Sequence, residues 1–190
     1  YMGITELTQK QYAALTGTNP SRYKNAVLPV DTVSWINATG FCKALSRKNK
    51  ALVYLPTEAQ WEYACRAGSD TQFSFGDAIK YFGSFGWARE NSNRTSHPAG
   101  QKKPNAFGLY DMHGNIREWC RDSYGAKYYA NAKNVDPENT TKTKYRPLRG
   151  GALNITPSQC RAAYRDRNSA SSHYGTYGFR VVVAAGAPKR

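Results

Sequence analysis

The feature that most constrains this chain is the place where its helix signals stop. Two capping boxes, Thr8-Gln9-Lys10-Gln11 and Thr57-Glu58-Ala59-Gln60, set a hydroxyl and a Gln side chain to satisfy the orphan amides of a first turn. The second box follows Pro56, and its apolar positions Ala59, Trp61, Tyr63, Ala64 and Cys65 run to a stop at Gly68. A third helix is predicted from near Ser34, with Trp35, Ala38, Phe41, Cys42 and Leu45 on one face and the basic Arg47-Lys48 at its end. Past Gly68 no helical period survives. Gly, Pro, Asn, Ser and aromatic residues dominate, a composition that suits long loops and short strands pinned by buried rings. A last strand is predicted at Phe179-Arg180-Val181-Val182-Val183, before a small-residue tail, and Ala126 to Lys144 reads as an exposed excursion. No internal repeat is evident. Helices early and loops and strands late give an α+β fold.

The 190 residues, 40% hydrophobic, suffice for one core and are too few for two ordinary domains, so residues 1–190 are expected to form one. No apolar run approaches the roughly 20 residues needed to cross a bilayer. The opening Tyr1-Met2-Gly3-Ile4-Thr5-Glu6 lacks the charged-then-apolar layout of a signal peptide. An upstream segment could carry an address, which leaves cell-surface, secreted and phage- or virion-associated locations open. The net charge of +14 raises nucleic acid as a partner. The basic residues are spread out, however, in groups no longer than Arg47-Lys48-Asn49-Lys50 and Lys142-Thr143-Lys144, and no nucleic-acid-binding signature accompanies them, which favours a solvated basic surface. Cys42, Cys65, Cys120 and Cys160 form no CxxC pair and have no His at metal-ligand spacing, which argues against zinc. Their apolar neighbours favour buried thiols over disulfides.

Several long blocks stand in a particular order: Leu28 to Trp35 (LPVDTVSW), Leu55 to Gly68 (LPTEAQWEYACRAG), Asn105 to Trp119 (NAFGLYDMHGNIREW), Arg149-Gly150-Gly151, Cys160 to Arg165 (CRAAYR) and Gly178-Phe179-Arg180. This series resembles the signature of the formylglycine-generating-enzyme (sulfatase-modifying factor) family. The resemblance implies a C-type-lectin-like fold, loop-rich, with a small antiparallel sheet and two or three helices. Enzymes of this family use a copper-binding cysteine pair between the Gly-Gly motif and the terminal Gly-Phe-Arg. Here that stretch begins Ala152-Leu153-Asn154-Ile155-Thr156-Pro157-Ser158-Gln159, without cysteine, and Cys160 belongs to the framework block. No catalytic residue is therefore expected. His97, His113 and His173 are scattered, and no hydrolase elbow or phosphate loop is present. Some family members hold calcium near the Gly-Asn-x-x-Glu-Trp block, where Asn115 and Glu118 would supply hard oxygen ligands. The alternative is a hydrogen-bonded turn with Glu118 paired to a cation, and Arg117 adds unfavourable charge for a metal. No other cofactor is expected.

Between Gly151 and Gly178 the palette changes. Lys, Glu, Met and Trp disappear, while Asn, Ser, Thr, Tyr, His, Asp, Ala and Gly crowd together, a mixture that suits adaptable recognition. An Asn codon ending in C, randomised only at its adenines, never yields Lys, Glu, Gln, Met or Trp. Ala152, Leu153, Asn154, Ile155 and Thr156 obey that rule, as do Tyr164, Asp166, Arg167, Asn168, Ser169, Ser171, Ser172, His173, Tyr174, Gly175, Thr176 and Tyr177. Gln159 does not, and it adjoins the apparent frame of Cys160, Arg161, Ala163 and Arg165. The pattern resembles the variable region of proteins diversified by diversity-generating retroelements, whose receptors share the lectin-like fold. It implies a non-enzymatic protein that binds a macromolecule, expected to be a protein, through residues 152–177. The alternatives are an enzyme of the formylglycine-generating class with displaced catalytic groups, and a sensory or regulatory module of a longer chain.

Overall fold

The computed structural model describes residues 1–133 and 135–184, and the tail expected at the end of the chain lies mainly outside them. The three predicted helices are present as α1 (Gln9–Thr16), α2 (Trp35–Asn49) and α3 (Glu58–Arg66). Each begins with a reciprocal capping box; that of α2 joins Ser34 to Asn37, a shorter partner than the Gln that marks the other two. A fourth helix, α4 (Phe82–Phe85), makes one more than expected.

The strands are short: β1 (Val53–Tyr54), β2 (Gly86–Trp87), β3 (His113–Gly114), β4 (Arg117–Trp119), β5 (Tyr145–Arg149), β6 (Asp166–Ser169), β7 (Tyr177–Gly178) and β8 (Val182–Val183). The principal sheet has the order β6-β5-β4-β7. It is mixed rather than antiparallel, because β7 runs parallel to β4 with Arg117 opposite Tyr177 and Glu118 opposite Gly178. The predicted last strand is also split. Gly178 ends β7, and Val182 opens β8, which pairs with β1. Between them Phe179 joins the rings of Phe41 and Tyr12, and the Arg180 side chain enters the interior. The main chain there is held by the segment before α1, through Leu7 N to Phe179 O at 2.9 Å and Gly3 N to Val181 O at 2.8 Å.

The main core lies between α1, α2 and the sheet, around Phe41, Leu55, Trp119, Leu148 and Phe179, and a second cluster surrounds Trp61, Cys65 and Met112. The motif blocks meet inside as ion pairs. Arg180 donates two bonds to Glu118, at 2.7 and 2.8 Å, both side chains being fully buried, and Trp61 Nε1 donates to the same carboxylate at 2.8 Å. Arg149 reaches Glu58 at 2.9 Å and Glu62 at 2.6 Å, and Arg165 grips Glu58 with both ends of its fork at 2.7 and 2.8 Å. Glu6 and Asp111 also neighbour Arg180, and burial pushes both carboxyls up. All four cysteines are free and buried, as their neighbours suggested, and burial raises the thiols of Cys42 and Cys160 to about 12.

His113 links these cores to the loops beyond. Its Nδ1 lies 2.9 Å from Cys160 O, which can only accept, so Nδ1 carries the proton; Nε2 accepts from Ser74 N at 3.1 Å. Burial lowers its pKa to about 4 from 6.5. The folded state thus binds fewer protons than the unfolded chain between those values, and stability falls as pH drops from 6.5 towards 4. The loss attributable to His113 amounts to about 3 kcal/mol. Urea midpoints measured across this range are expected to slope downward with acid in the parent and less steeply in His113→Gln; equal slopes would show that His113 does not titrate this way.

Candidate binding cleft

The segment singled out by its palette is held through its main chain. Leu153 N donates to Asn115 O at 2.9 Å, Ser92 Oγ donates to Leu153 O at 2.6 Å, and Arg89 N donates to Ile155 O at 2.9 Å. Residues 166–169 are laddered to β5. Beyond them, Ile36 N donates to Ala170 O at 3.3 Å, Thr32 N to Tyr174 O at 3.0 Å and Arg117 N to Thr176 O at 2.8 Å. Each of these anchors uses a carbonyl or amide of the segment, never its side chain.

The side chains divide by position. Ala152, Leu153 and Tyr177 are buried, which corrects their expected exposure: Ala152 is wholly enclosed, while Leu153 and Tyr177 form part of a cleft wall. Asn154, Arg167, Ser171, His173 and Tyr174 are exposed, and Ile155, Thr156, Tyr164, Asp166, Asn168, Ser169, Ser172 and Thr176 are half-buried. A cleft of about 660 Å³ gathers Leu153, Asn154, Asn168, Tyr174, Thr176 and Tyr177. Strand alternation sorts β6: Asp166 binds Arg117 at 2.9 Å and Asn168 binds the Tyr177 hydroxyl at 2.9 Å, whereas Arg167 turns the other way, over Tyr124. Tyr164 accepts from Gln159 Nε2 at 3.1 Å and lies outside the cleft lining. Ser172 Oγ donates to Asn168 Oδ1 at 2.9 Å, and the Tyr174 and Tyr177 rings meet edge to face at 5.1 Å. Burial raises the Tyr177 phenol, so it remains a neutral hydroxyl at physiological pH.

The expected frame residues also divide. Cys160 is enclosed and Arg165 is tied to Glu58, but Arg161 and Ala163 are exposed, and the buried neighbour is Ala162. Sequence reasoning missed the cations and the ring of the remaining lining: Arg22, Tyr23, Arg89, Arg94 and Arg117. Scattered from position 22 to 117, each looks like an ordinary solvated cation or ring, and the overall positive charge was the sole signal.

The two oxygen donors considered for calcium do not fit such a site. Asn115 Oδ1 accepts from His97 N at 3.0 Å and its amide donates to His97 O at 3.2 Å, while Glu118 is neutralised by Arg180. This is the hydrogen-bonded turn and cation pair of the alternative reading. A copper site of two thiolates is likewise unmatched by the residues present, since Cys160 is the one cysteine between Gly151 and Gly178 and its enclosed Sγ lies 3.7 Å from Thr156 O.

A family model described as the sulfatase-modifying factor enzyme 1-like domain matches residues 1–185. The chain is 34% identical over 157 residues to the serine/threonine-protein kinase pkn1 of Chlamydia pneumoniae, covering 81% of this chain and 24% of the kinase. It is 34% identical over 169 residues to the formylglycine-generating enzyme of Streptomyces coelicolor, covering 81% of this chain and 52% of the enzyme. The chain therefore spans only a part of each of these two relatives. Among solved structures, Treponema denticola variable protein 1 superposes with a TM-score of 0.91 at 27% identity, over 95% of this chain and 82% of that one.

Proposed function

Because the chain belongs to the sulfatase-modifying factor enzyme 1-like family, with a C-type-lectin-like α+β fold, we propose that it uses this scaffold without catalysis, as a ligand-binding protein with a diversified surface. Residues 154–176 then form the face that meets a macromolecular partner, in the manner of a variable protein of a diversity-generating retroelement. The observation that carries this reading is that the hydrogen bonds fastening the segment at Leu153, Ile155, Ala170, Tyr174 and Thr176 use its main-chain atoms. Such anchors survive any change of side chain that leaves the backbone path intact, so the surface varies without a matching change in the fold.

The test is a set of variants in which Asn154, Ser171, His173 and Tyr174 are exchanged together within the same palette. Each exchange is expected to shift stability by no more than about 0.5 kcal/mol, the usual range for surface positions, while ligand preference changes. Loss of folding on such exchanges would overturn the reading. Aldehyde formation from a Cys-x-Pro-x-Arg peptide with copper and oxygen would establish an enzyme instead. At the gene level, a template repeat that differs from this coding region at adenines, beside a reverse transcriptase gene, is the expected neighbourhood. A regulatory module within a longer chain is the second reading. The likeness to a segment of a protein kinase favours it, and the full gene decides.

A further inference from the structure

Four arginines line the cleft, Arg22, Arg89, Arg94 and Arg117, with no acidic side chain among the lining residues. Arg117 is bound to Asp166 at 2.9 Å. Arg89 lies 3.8 Å from Glu90, where both side chains are about half exposed and solvent screens the attraction. Arg22 and Arg94 pair with no carboxylate among the described residues. Asp31, which touches Arg22, spends Oδ1 on the Arg22 amide at 2.9 Å and the Thr32 hydroxyl at 2.7 Å.

The chain has 14 Arg and 13 Lys, yet every cation lining this cleft is Arg, the planar fork that matches a carboxylate with two parallel bonds. Beside the guanidiniums stand Tyr174, Tyr177, Asn154 and Asn168, which offer ring faces, hydroxyls and amides suited to a peptide. Like charges gathered in one concavity repel one another, and an incoming anion relieves that repulsion. A nucleic-acid duplex asks for phosphate contacts along an extended stripe, whereas these four groups surround a single cleft.

We propose that the cleft takes an acidic segment of a protein, with Asp and Glu carboxylates held by Arg22, Arg94 and Arg89, while side chains of the variable face choose among acidic sequences. This rests on the reading of the cleft as the binding site. Arg22, Arg89 and Arg94 all lie outside residues 152–177. The preference for anions therefore belongs to the scaffold and persists whichever side chains the segment carries.

The intact chain is panned against a random-peptide display library, alongside R22Q/R94Q, Y174A and the distal pair R47Q/K48Q. The distal pair makes the same charge change at the far end of α2, whose 15 residues span about 22 Å. Retained peptides are expected to be rich in Asp and Glu. Their affinity is expected to fall by about tenfold or more in R22Q/R94Q, the scale of losing charge-assisted contacts, to fall with added salt, and to hold in the distal pair. Equal loss in the distal pair would reduce the effect to bulk charge and overturn the proposal. Retained peptides with no acidic enrichment that are nevertheless lost in Y174A would overturn the anion preference and leave the cleft reading intact. Retention of peptides unaffected by both R22Q/R94Q and Y174A would overturn both. A single-stranded oligonucleotide that binds more tightly than the acidic peptides, and loses affinity in R22Q/R94Q, would assign the cleft to nucleic acid and sink the proposal.

Discussion

Glu118→Ala is expected to cost about 3–5 kcal/mol, because it strands the buried Arg180 guanidinium without its bidentate partner. Set against a total stability of about 5–15 kcal/mol for an ordinary domain, that loss unfolds a large share of the molecules on modest heating, and a circular-dichroism melt checks it. Glu118→Gln keeps an acceptor for Trp61 Nε1 and is expected to lose less. Arg180→Met should do more harm than either. It removes the cation that neighbours Glu6, Asp111 and Glu118, and with it the donors that serve Gly3 O and Tyr110 O. Because the stranded groups are then carboxyls, the Arg180→Met deficit is expected to shrink as pH falls from 8 towards 5, whereas that of Glu118→Ala does not shrink in this way. A deficit independent of pH in both variants would show that lost packing, rather than unpaired charge, sets the cost.

Gly151→Ala is the second large effect. Gly151 has φ +78°, and a Cβ there would lie 2.5 Å from Cys160 Sγ and 2.8 Å from Gln159 O. The left-handed backbone alone costs an alanine about 1–2 kcal/mol, and forcing an atom into a filled core adds about 1–3 kcal/mol. The consequence reaches function because Gly151 sets the direction in which residues 152–156 leave β5. Relieving the clash would displace Cys160, whose carbonyl accepts from His113 Nδ1. Gly151→Ala is therefore expected to melt several degrees lower and to weaken binding even where it folds, while Gly175→Ala, whose Cβ meets Arg22 Cδ at an ordinary 3.4 Å and has no positive φ, is expected to fold as the parent does. Denaturant midpoints of the two variants measure the contrast in folding, and the peptide affinity of Gly151→Ala measures the loss of binding.

What the sequence disclosed follows the range of the interactions involved. Capping boxes were legible because Thr8 with Gln11 and Thr57 with Gln60 act within one turn. The box of α2 was harder to see, since Asn37 does the work of a Gln with a shorter arm. The parallel register of β4 with β7 joins residues 117 and 177 and leaves no local trace. The strand expected over 179–183 was broken by Arg180, whose demand for Glu118 outweighs the extended preference of the valines around it. The palette marks a segment but not which way its side chains point. Applying a period of two to Asp166, Arg167, Asn168 and Ser169 would have placed Asn168, which lines the cleft, on the side opposite Arg167. No comparable rule assembles Arg22, Arg89, Arg94 and Arg117, because tertiary folding alone brings them together.

The four enclosed thiols carry a consequence of another kind. Thiol oxidation and disulfide exchange proceed through the thiolate, and Cys42 and Cys160, held near 12, supply almost none of it at neutral pH. Cys65 and Cys120 are pushed the same way by burial. The folded chain thus asks for neither an oxidant nor a reductant: an oxidising medium finds no thiolate to couple, and a reducing one finds no bridge to break. A chain built this way keeps its fold in oxidising and in reducing surroundings alike.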